Sequence, residues 1–323
     1  MSPLLQAVDL SKHYPSPDGT AVRALNGVSF DLAAGEILGV VGESGCGKST
    51  LGRTIMRLET PTGGTVRLDG TSIGALRGRA LRRVRQDIQM VFQDPFGSLN
   101  PRHTVGRIVG EPLVVHGRPN RRERVAELLD LVGLPQEAAR RLPHEFSGGQ
   151  RQRIAIARAL ALDPKVVVAD EAVSALDVSI QSQIVNLLLD LRDRLGLAMI
   201  FISHDLSVVR HVSDRIMVMY LGRAVEVAPA RDLFKAAQHP YTKALISAIP
   251  RIPGHDTLGE RTARVALDGE VPDPKHPPPG CVFHPRCPLA RDRCRGEEPA
   301  LMIRSEGGWP CACHYPGEAL PDR

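Results

Sequence analysis

The sequence predicts an α/β protein in which helices cover a mostly parallel β-sheet. Three observations lead to this fold class. Short apolar, β-branched segments alternate with helical patterns up to about residue 235, and such segments are typical of strands buried on both faces of a parallel sheet. A glycine-rich segment at 42–49 joins one strand to a helix, and another strand ends in two acidic residues at 170–171.

The predicted elements follow one another in a regular order. Buried strands are expected at 37–42, 88–92, 165–170 and 198–203, and a hairpin at 217–228 turns at Leu221 and Gly222. The stretch 94–160 is more polar and has helical periodicity at 124–134, which predicts a helical subdomain. Because 250–280 is rich in proline, glycine and charge, we assign 1–235 to the α/β domain and 236–323 to a C-terminal extension.

Composition argues against several classes of protein. No apolar segment reaches 18 residues, so no transmembrane span is expected, and the N-terminus lacks the pattern of a secretory signal. A cytoplasmic location is therefore expected. The net charge is only +5 and 4% of residues are aromatic, which argues against binding of nucleic acid.

The segment GESGCGKS at 42–49 fits the consensus of a phosphate-binding loop. A chance glycine-rich turn is the alternative, but the strand before it and the helix after it are the context that the motif requires. Lys48 is expected to reach the β- and γ-phosphates, and Ser49 to offer its hydroxyl to Mg²⁺. The residues expected to bind ATP here are Gly42, Glu43, Ser44, Gly45, Cys46, Gly47, Lys48, Ser49 and Thr50.

The strand at 166–171 supplies the second half of a hydrolytic site. Asp170 is expected to hold Mg²⁺ through water, and Glu171 to polarise the attacking water as general base. His204 follows the next strand and would stabilise charge at the γ-phosphate, unless it is an ordinary turn residue. Gln93, just past a strand end, would bind Mg²⁺ or orient water, unless it is an exposed loop residue without a role.

The segment FSGGQRQR at 146–153 resembles the signature of the ABC ATPase family, with Phe in place of the usual Leu. The resemblance implies a RecA-like P-loop NTPase core with a helical subdomain and a small Cys-rich C-terminal extension. It also implies that the signature closes over ATP held by a second ATPase subunit. The residues that match this second anion site are Ser147, Gly148, Gly149 and Gln150.

Other positions match the same family. Tyr14 resembles the aromatic residue that stacks on adenine, with a plain strand-edge tyrosine as the alternative, and Asp177 ends a segment that resembles the loop at the dimer interface. Gln93 resembles the glutamine that couples the nucleotide state to the membrane subunits. Ala172 departs from the pattern, since the family usually has Pro after the catalytic Glu.

Nearly the whole chain resembles the ATPases of oligopeptide and dipeptide permeases, and the F-type subunit more than the D-type. HPYTKALISAIP at 239–250 and GCVFHPRCPLARDRC at 280–294 carry this part of the resemblance. It implies a D-type ATPase partner, two transmembrane permease subunits, an external solute-binding protein and a peripheral position at the cytoplasmic face of the inner membrane. Importers of nickel or other small solutes, cytosolic ABC proteins and nucleotide kinases are the alternatives.

Five of the six cysteines lie in the last 43 residues, a pattern that points to a metal site in a reducing compartment. The spacing of Cys281, Cys287, Cys294 and Cys313 predicts a [4Fe–4S] cluster, since four soft thiolates suit such a core. A Cys₄ zinc site and a set of free thiols are the alternatives. Cys311 competes with Cys313 for the role of fourth ligand.

Overall fold

The structure is a computed structural model, which describes residues 2–174, 176–249, 267, 269–304 and 308–320. The side chains of Pro95 and Phe96 lie outside this description. The chain divides into two compact units, and each is treated by itself. The first unit comprises 1–4, 32–36 and 75–202, and the second comprises 5–31, 37–74 and 203–323.

The strands are short except for the first two. In chain order they are β1 (Leu5–Pro15), β2 (Ala21–Leu32), β3 (Ile37–Val41), β4 (Gly63–Leu68), β5 (Thr71–Ser72), β6 (Ile88–Val91), β7 (Val166–Asp170), β8 (Ala198–Ile202), β9 (Arg215–Tyr220) and β10 (Arg223–Pro229).

The helices vary from one turn to five. In chain order they are α1 (Lys48–Ile55), α2 (Gly78–Asp87), α3 (Pro95–Ser98), α4 (Val105–Val115), α5 (Arg121–Leu131), α6 (Gly148–Ala159), α7 (Val178–Leu195), α8 (Leu206–Val212), α9 (Ala230–Ala236), α10 (Pro240–Ser247) and α11 (Asp292–Gly296). Among the described helices, none is long and apolar enough to span a bilayer.

The first unit contains three parallel strands in the order β6, β7, β8. Every residue of β7 and β8 is buried, as expected for strands covered on both faces. Helices α4, α5 and α6 lie within the stretch 94–160, and one side chain from each helix, Val109, Leu128 and Ile154, is fully buried. Helix α7 ends at Gly196 in the left-handed conformation, a common helix stop.

The second unit contains an antiparallel sheet in the order β2, β1, β4, β5. It also contains β3, which pairs in parallel with β9, and β10, which returns antiparallel to β9. The predicted hairpin is confirmed: Leu221 and Gly222 both have positive φ, at 45° and 74°, as a two-residue turn between twisted strands requires.

The C-terminal segment packs within the second unit. Cys311 forms antiparallel bridges with Glu226 and Met302, and the rings of Tyr220, Tyr241 and Phe283 contact one another edge to face or tilted. Much of the predicted linker at 250–280 lies outside the described residues, and its remainder at 269–280 forms no helix or strand.

Candidate nucleotide site

The glycines of the 42–49 loop are required by close backbone approaches. Gly42 and Gly47 have φ of 154° and 105°. A Cβ atom on Gly42 would lie 2.2 Å from the Met219 carbonyl oxygen, and one on Gly47 would lie 2.2 Å from that of Ala24. Any other residue at these two positions would displace the loop from the strands that support it.

Lys48 begins α1 and is almost fully buried within the loop. Its Nζ donates hydrogen bonds to the carbonyl oxygens of Gly42, at 2.7 Å, and Glu43, at 3.0 Å. Ser49 and Thr50 follow in the first turn, where helix N–H groups and the helix dipole favour an anion. Burial raises the pKa of the Cys46 thiol, so this residue adds no negative charge to the loop.

Glu171 has a strained backbone and an anchored carboxylate. Its φ is 47°, unusual for a residue other than glycine, and its N–H donates to the Ile202 carbonyl oxygen at 2.9 Å. Gln93 Nε2 donates to the Glu171 carboxylate at 2.9 Å. Asp170 is the last residue of β7 and is 3% exposed. The first unit therefore brings Gln93 and Glu171 together beside a buried aspartate.

The signature segment forms the start of α6. Ser147 is the N-cap, its Oγ accepts from the Gln150 N–H, and the Gln150 side chain accepts from the Ser147 N–H at 3.0 Å. Ser147 and Gln150 are exposed, whereas Gly149 is buried against Ile180 of α7, with which any added Cβ would clash at 2.4 Å. Gly148 is half-buried between them.

The segment after Glu171 turns back on that residue. Ser174 Oγ donates to the Glu171 carbonyl oxygen at 3.0 Å, which fixes the turn. Ala172, in place of the family proline, is buried. Ala175 lies outside the described residues, and Asp177 is exposed as the first residue before α7.

The remaining predicted site residues lie in the second unit. His204 is exposed, and Asp205 after it caps α8 by accepting from two backbone N–H groups. Tyr14 is half-buried on β1, with the Lys12 ammonium 4.8 Å from its ring centroid. The second unit thus brings Lys48 to the loop carbonyls, while Tyr14 and His204 remain at its surface.

Sequence reasoning missed two residues that contact the loop at Glu43. The Arg286 guanidinium donates to both carboxylate oxygens of Glu43, at 2.7 and 3.1 Å, and Tyr241 Oη accepts from the Glu43 N–H at 2.9 Å. Both lie in the segments HPYT and HPRC, which carried the resemblance to permease ATPases. No local spacing links these segments to the loop, about 200 residues earlier, so only the three-dimensional structure reveals the contact.

The predicted iron–sulfur site is wrong. Among the residues that the structure describes, no three or more His, Cys, Asp or Glu side chains are grouped so that they could hold a metal ion. The expectation of a [4Fe–4S] cluster on Cys281, Cys287, Cys294 and Cys313, or of zinc in its place, is therefore corrected. The space that these side chains line is about 10 Å³, no more than a single water molecule needs.

The C-terminal thiols instead pack as small apolar side chains. Burial raises the pKa of Cys281 to about 11 and that of Cys287 to about 12. Both are therefore thiols rather than thiolates near neutral pH. Cys311 is fully buried where it bridges to Glu226 and Met302, so it takes part in the packing of the tail.

Two family models match the chain. The model described as ABC transporter matches residues 25–174, and the model described as Oligopeptide/dipeptide transporter, C-terminal region, matches residues 225–294. The first match contains the phosphate loop, the signature and the two acidic residues at the end of β7, Asp170 and Glu171. The second contains the two residues that contact Glu43.

Relatives match over almost their full length. The di/tripeptide transport ATP-binding protein DppF of Pseudomonas aeruginosa is 49% identical over 328 residues, which cover 99% of this chain and 100% of the relative. The dipeptide transport ATP-binding protein DppF of Escherichia coli is 51% identical over 319 residues, which cover 96% and 94%. A dimeric post-hydrolysis state of the ATP-binding cassette MJ0796 bound to ADP and Pi has a TM-score of 0.63 and 32% identity, and covers 70% of this chain and 98% of that one.

The fold and the motifs define an ABC-type ATPase cassette, so the predicted ABC core is confirmed. The enzyme class is accordingly an ATPase. At the level of the whole sequence, the chain belongs to the family of ABC transporter ATP-binding subunits with an oligopeptide/dipeptide transporter C-terminal region.

Proposed function

We propose that this chain hydrolyses ATP to energise the import of oligopeptides or dipeptides through an ABC permease. The observation that carries the choice of solute is the match of residues 225–294 to the oligopeptide/dipeptide C-terminal region. The names of the relatives, di/tripeptide and dipeptide transport proteins, support it. In this proposal the Cys-rich C-terminal extension spans 236–323 and follows an ATPase domain at 1–235, with the helical subdomain at about 94–160.

The roles proposed for the site residues follow from their chemistry. Lys48 binds the β- and γ-phosphates, with the backbone N–H groups of 44–50 around them, and Tyr14 stacks on adenine. Glu171 is the general base and is oriented by Gln93, which donates through Nε2 to its carboxylate and keeps Oε1 as an acceptor. His204 stabilises charge on the γ-phosphate in the transition state.

Mg²⁺ fits the proposed donor set, because Ser49, Gln93 and Asp170 offer the hydroxyl, amide and carboxylate oxygens that this ion prefers. When bound, it would neutralise charge on the β- and γ-phosphates. Asp170 is the last residue of β7 and is 3% exposed, so a cation held at this strand end would complement a buried negative charge.

The proposed assembly contains two ATPase subunits, this chain and a D-type partner, with two transmembrane permease subunits and an external solute-binding protein. The signature residues Ser147 and Gln150 are exposed at the start of α6, where a second subunit could present the phosphates of its ATP. In this assembly the chain lies at the cytoplasmic face of the inner membrane as a peripheral subunit.

The segment after Gln93, residues 94–102, is proposed to dock on a cytoplasmic helix of the permease. Leu99 is 2% exposed, so it packs inside the unit and is not part of the proposed docking surface. The Arg158 guanidinium donates to the Ser98 carbonyl oxygen and ties the segment to α6. The Phe96 side chain lies outside the described residues.

The test is uptake of a labelled dipeptide into vesicles that contain the permease, the solute-binding protein and both ATPases. We expect uptake that requires MgATP and is lost with Lys48→Ala. Arg293→Gln, on the exposed surface of the tail, is the matched control and should transport normally. Uptake of nickel but not of peptides, with the same dependence on Lys48, would contradict the proposed solute and leave the ATPase assignment intact.

A further inference from the structure

Glu43, the second residue of the phosphate loop, is held at three points within the second unit. Its carboxylate accepts two hydrogen bonds from Arg286, at 2.7 and 3.1 Å. Its N–H donates to Tyr241 Oη at 2.9 Å, and its carbonyl oxygen accepts from Lys48 Nζ at 3.0 Å. Two of these partners come from the C-terminal region, and the third is the phosphate-binding lysine.

The two C-terminal partners are themselves firmly placed. The Arg286 side chain is 7% exposed, and its guanidinium lies 5.9 Å from the centroid of the Tyr220 ring. Tyr241 is fully buried, and its ring lies 4.8 Å from Tyr220 and 5.4 Å from Phe283. Buried aromatic rings in contact move little, so these groups form a rigid support beneath the loop.

The Arg286 pair changes the charge of the loop. A lone carboxylate beside a triphosphate site would repel the nucleotide, and the repulsion would be strong because Glu43 is only 28% exposed. A bidentate guanidinium neutralises that charge and fixes the direction of the side chain. Tyr241 adds a geometric constraint, since the hydrogen bond to its Oη holds the peptide between Gly42 and Glu43 in one orientation.

We propose that Arg286 and Tyr241 are positioning residues, through which the C-terminal region holds the phosphate loop and sets its affinity for MgATP. The proposal rests on the proposed role of the 42–49 loop in phosphate binding. It gives the C-terminal region a function at the nucleotide site: a shift of the 281–287 segment would release Glu43 and weaken ATP binding. Neither residue touches the reacting atoms.

The test is a double-mutant cycle on the full chain, with a fluorescent ATP analogue and Mg²⁺ as the probe. Arg286→Gln should raise the Kd about tenfold, the scale expected for the loss of one charge-assisted interaction. The double variant Glu43→Gln/Arg286→Gln should bind with a Kd within about twofold of the unsubstituted chain, because both charges are removed together and no unpaired carboxylate remains. Arg293→Gln, which removes an exposed ion pair with Glu297 in the same tail, should leave the Kd unchanged.

Turnover in the assembled transporter separates positioning from catalysis. Arg286→Gln should raise the KM for ATP while kcat stays within about twofold, and added salt should reduce the difference in KM, because the repulsion it exposes is electrostatic. A purely structural role would lower the thermal midpoint and kcat together, and Glu43→Gln would not rescue binding.

Tyr241→Phe is a second test of the proposal, and it keeps the aromatic packing. It removes only the hydroxyl acceptor and should raise the Kd about fivefold, the scale of one unsatisfied backbone donor. An unchanged Kd in both Arg286→Gln and Tyr241→Phe would overturn the proposal, as would equal losses of affinity with and without Glu43→Gln. If the unsubstituted chain fails to bind MgATP, the phosphate-site assignment itself fails, and the proposed role of Arg286 and Tyr241 fails with it.

Discussion

At the scale of single residues, the candidate catalytic group combines a strained backbone with a fixed side chain. Glu171 has a φ of 47°, a conformation that costs a non-glycine residue roughly 1 kcal/mol or more. The hydrogen bonds to Ile202 and from Ser174 hold that conformation, and Gln93 holds the carboxylate. Such strain at a strand end is typical of a residue whose orientation serves chemistry rather than stability.

Replacing Glu171 by Gln removes the negative charge and keeps nearly the same side-chain shape. Glu171→Gln should keep MgATP binding within about twofold and lower kcat by about a hundredfold or more, the scale of a lost general base. Steady-state hydrolysis in the assembled transporter and equilibrium binding to the single chain measure the two effects. Glu145→Gln, on the exposed surface of the same unit, is the matched control. Near-normal kcat in Glu171→Gln would remove this residue from the base role.

His239 gives the chain a pH-dependent stability. It is fully buried, its Nδ1 accepts from the Tyr241 N–H at 3.1 Å, and burial lowers its pKa to about 3. The folded state therefore resists protonation, while the unfolded chain binds a proton near pH 6.5. Above about pH 6.5 this group leaves the free energy of unfolding unchanged, and as the pH drops toward 3 that free energy decreases. The decrease is about 2 kcal/mol at pH 5.

Chemical unfolding at pH 7 and pH 5 tests whether the free energy of unfolding decreases as the pH is lowered. His239→Asn keeps a side-chain acceptor for the Tyr241 N–H but does not titrate, so its stability should fall by about 2 kcal/mol less between the two pH values. His211→Asn changes an exposed histidine and should behave like the unsubstituted chain. Equal losses in all three proteins would mean that other groups cause the acid sensitivity.

At the scale of elements, α6 and α7 meet through a glycine. A Cβ atom on Gly149 would lie 2.4 Å from Ile180 Cγ2, well inside van der Waals contact, so the glycine sets how closely the two helices approach. The same glycine lies in the signature, next to Ser147 that caps α6. The packing of α6 against α7 therefore requires a small residue at position 149, in addition to any contact that Gly149 makes with a phosphate.

Gly149→Ala should destabilise the chain by about 1–3 kcal/mol through overpacking. Adding Ile180→Ala removes the clashing Cγ2 and should recover part of that loss. Gly148→Ala is the control, because its nearest neighbour, Leu176 Cδ2, would lie at 3.4 Å, an ordinary contact. Thermal or denaturant unfolding measures all three. A stable Gly149→Ala chain would show that the helices separate at little cost.

Element prediction succeeded where a single local pattern decides the structure. The apolar segments predicted as β3, β6, β7, β8 and the β9–β10 hairpin are strands within one or two residues of the expected bounds, because full burial of β-branched residues leaves few alternatives. Strands β1, β2 and β4 were not predicted. They lie in a half-exposed antiparallel sheet with mixed burial, where alternation is weak and pairing partners lie far apart in the chain.

At the scale of the whole molecule, motifs and tertiary contacts differ in how far the sequence can predict them. The loop at 42–49 and the acidic pair at 170–171 could be found because their residues are consecutive and chemically specific. The Arg286 and Tyr241 contacts could not, since they join segments about 200 residues apart. The cysteines show the opposite error: spacing suggested a metal cluster, but the structure packs them around a space too small for one.

The last prediction concerns the exposed start of α6. Ser147 caps that helix, and both Ser147 and Gln150 are exposed, so the positive dipole end of α6 lies at the surface, where an anion from another subunit would be favoured. Ser147→Arg replaces the cap with a long side chain over this surface. It should leave MgATP binding at this chain's own phosphate loop within about twofold, yet lower hydrolysis by the assembled transporter about a hundredfold, the scale of losing transition-state donors.

Which phosphate loop loses its nucleotide in Ser147→Arg decides whether the signature acts between two subunits or within one. We expect Ser147→Arg to abolish trapping of nucleotide at the partner's phosphate loop while this chain's own loop still binds, with exposed Ser182→Arg on α7 as the control. Loss of binding at this chain's own loop would place the signature inside a single subunit. A strictly monomeric chain that hydrolyses ATP at the rate of the assembled transporter would contradict the two-subunit mechanism, because no second anion site would then be needed.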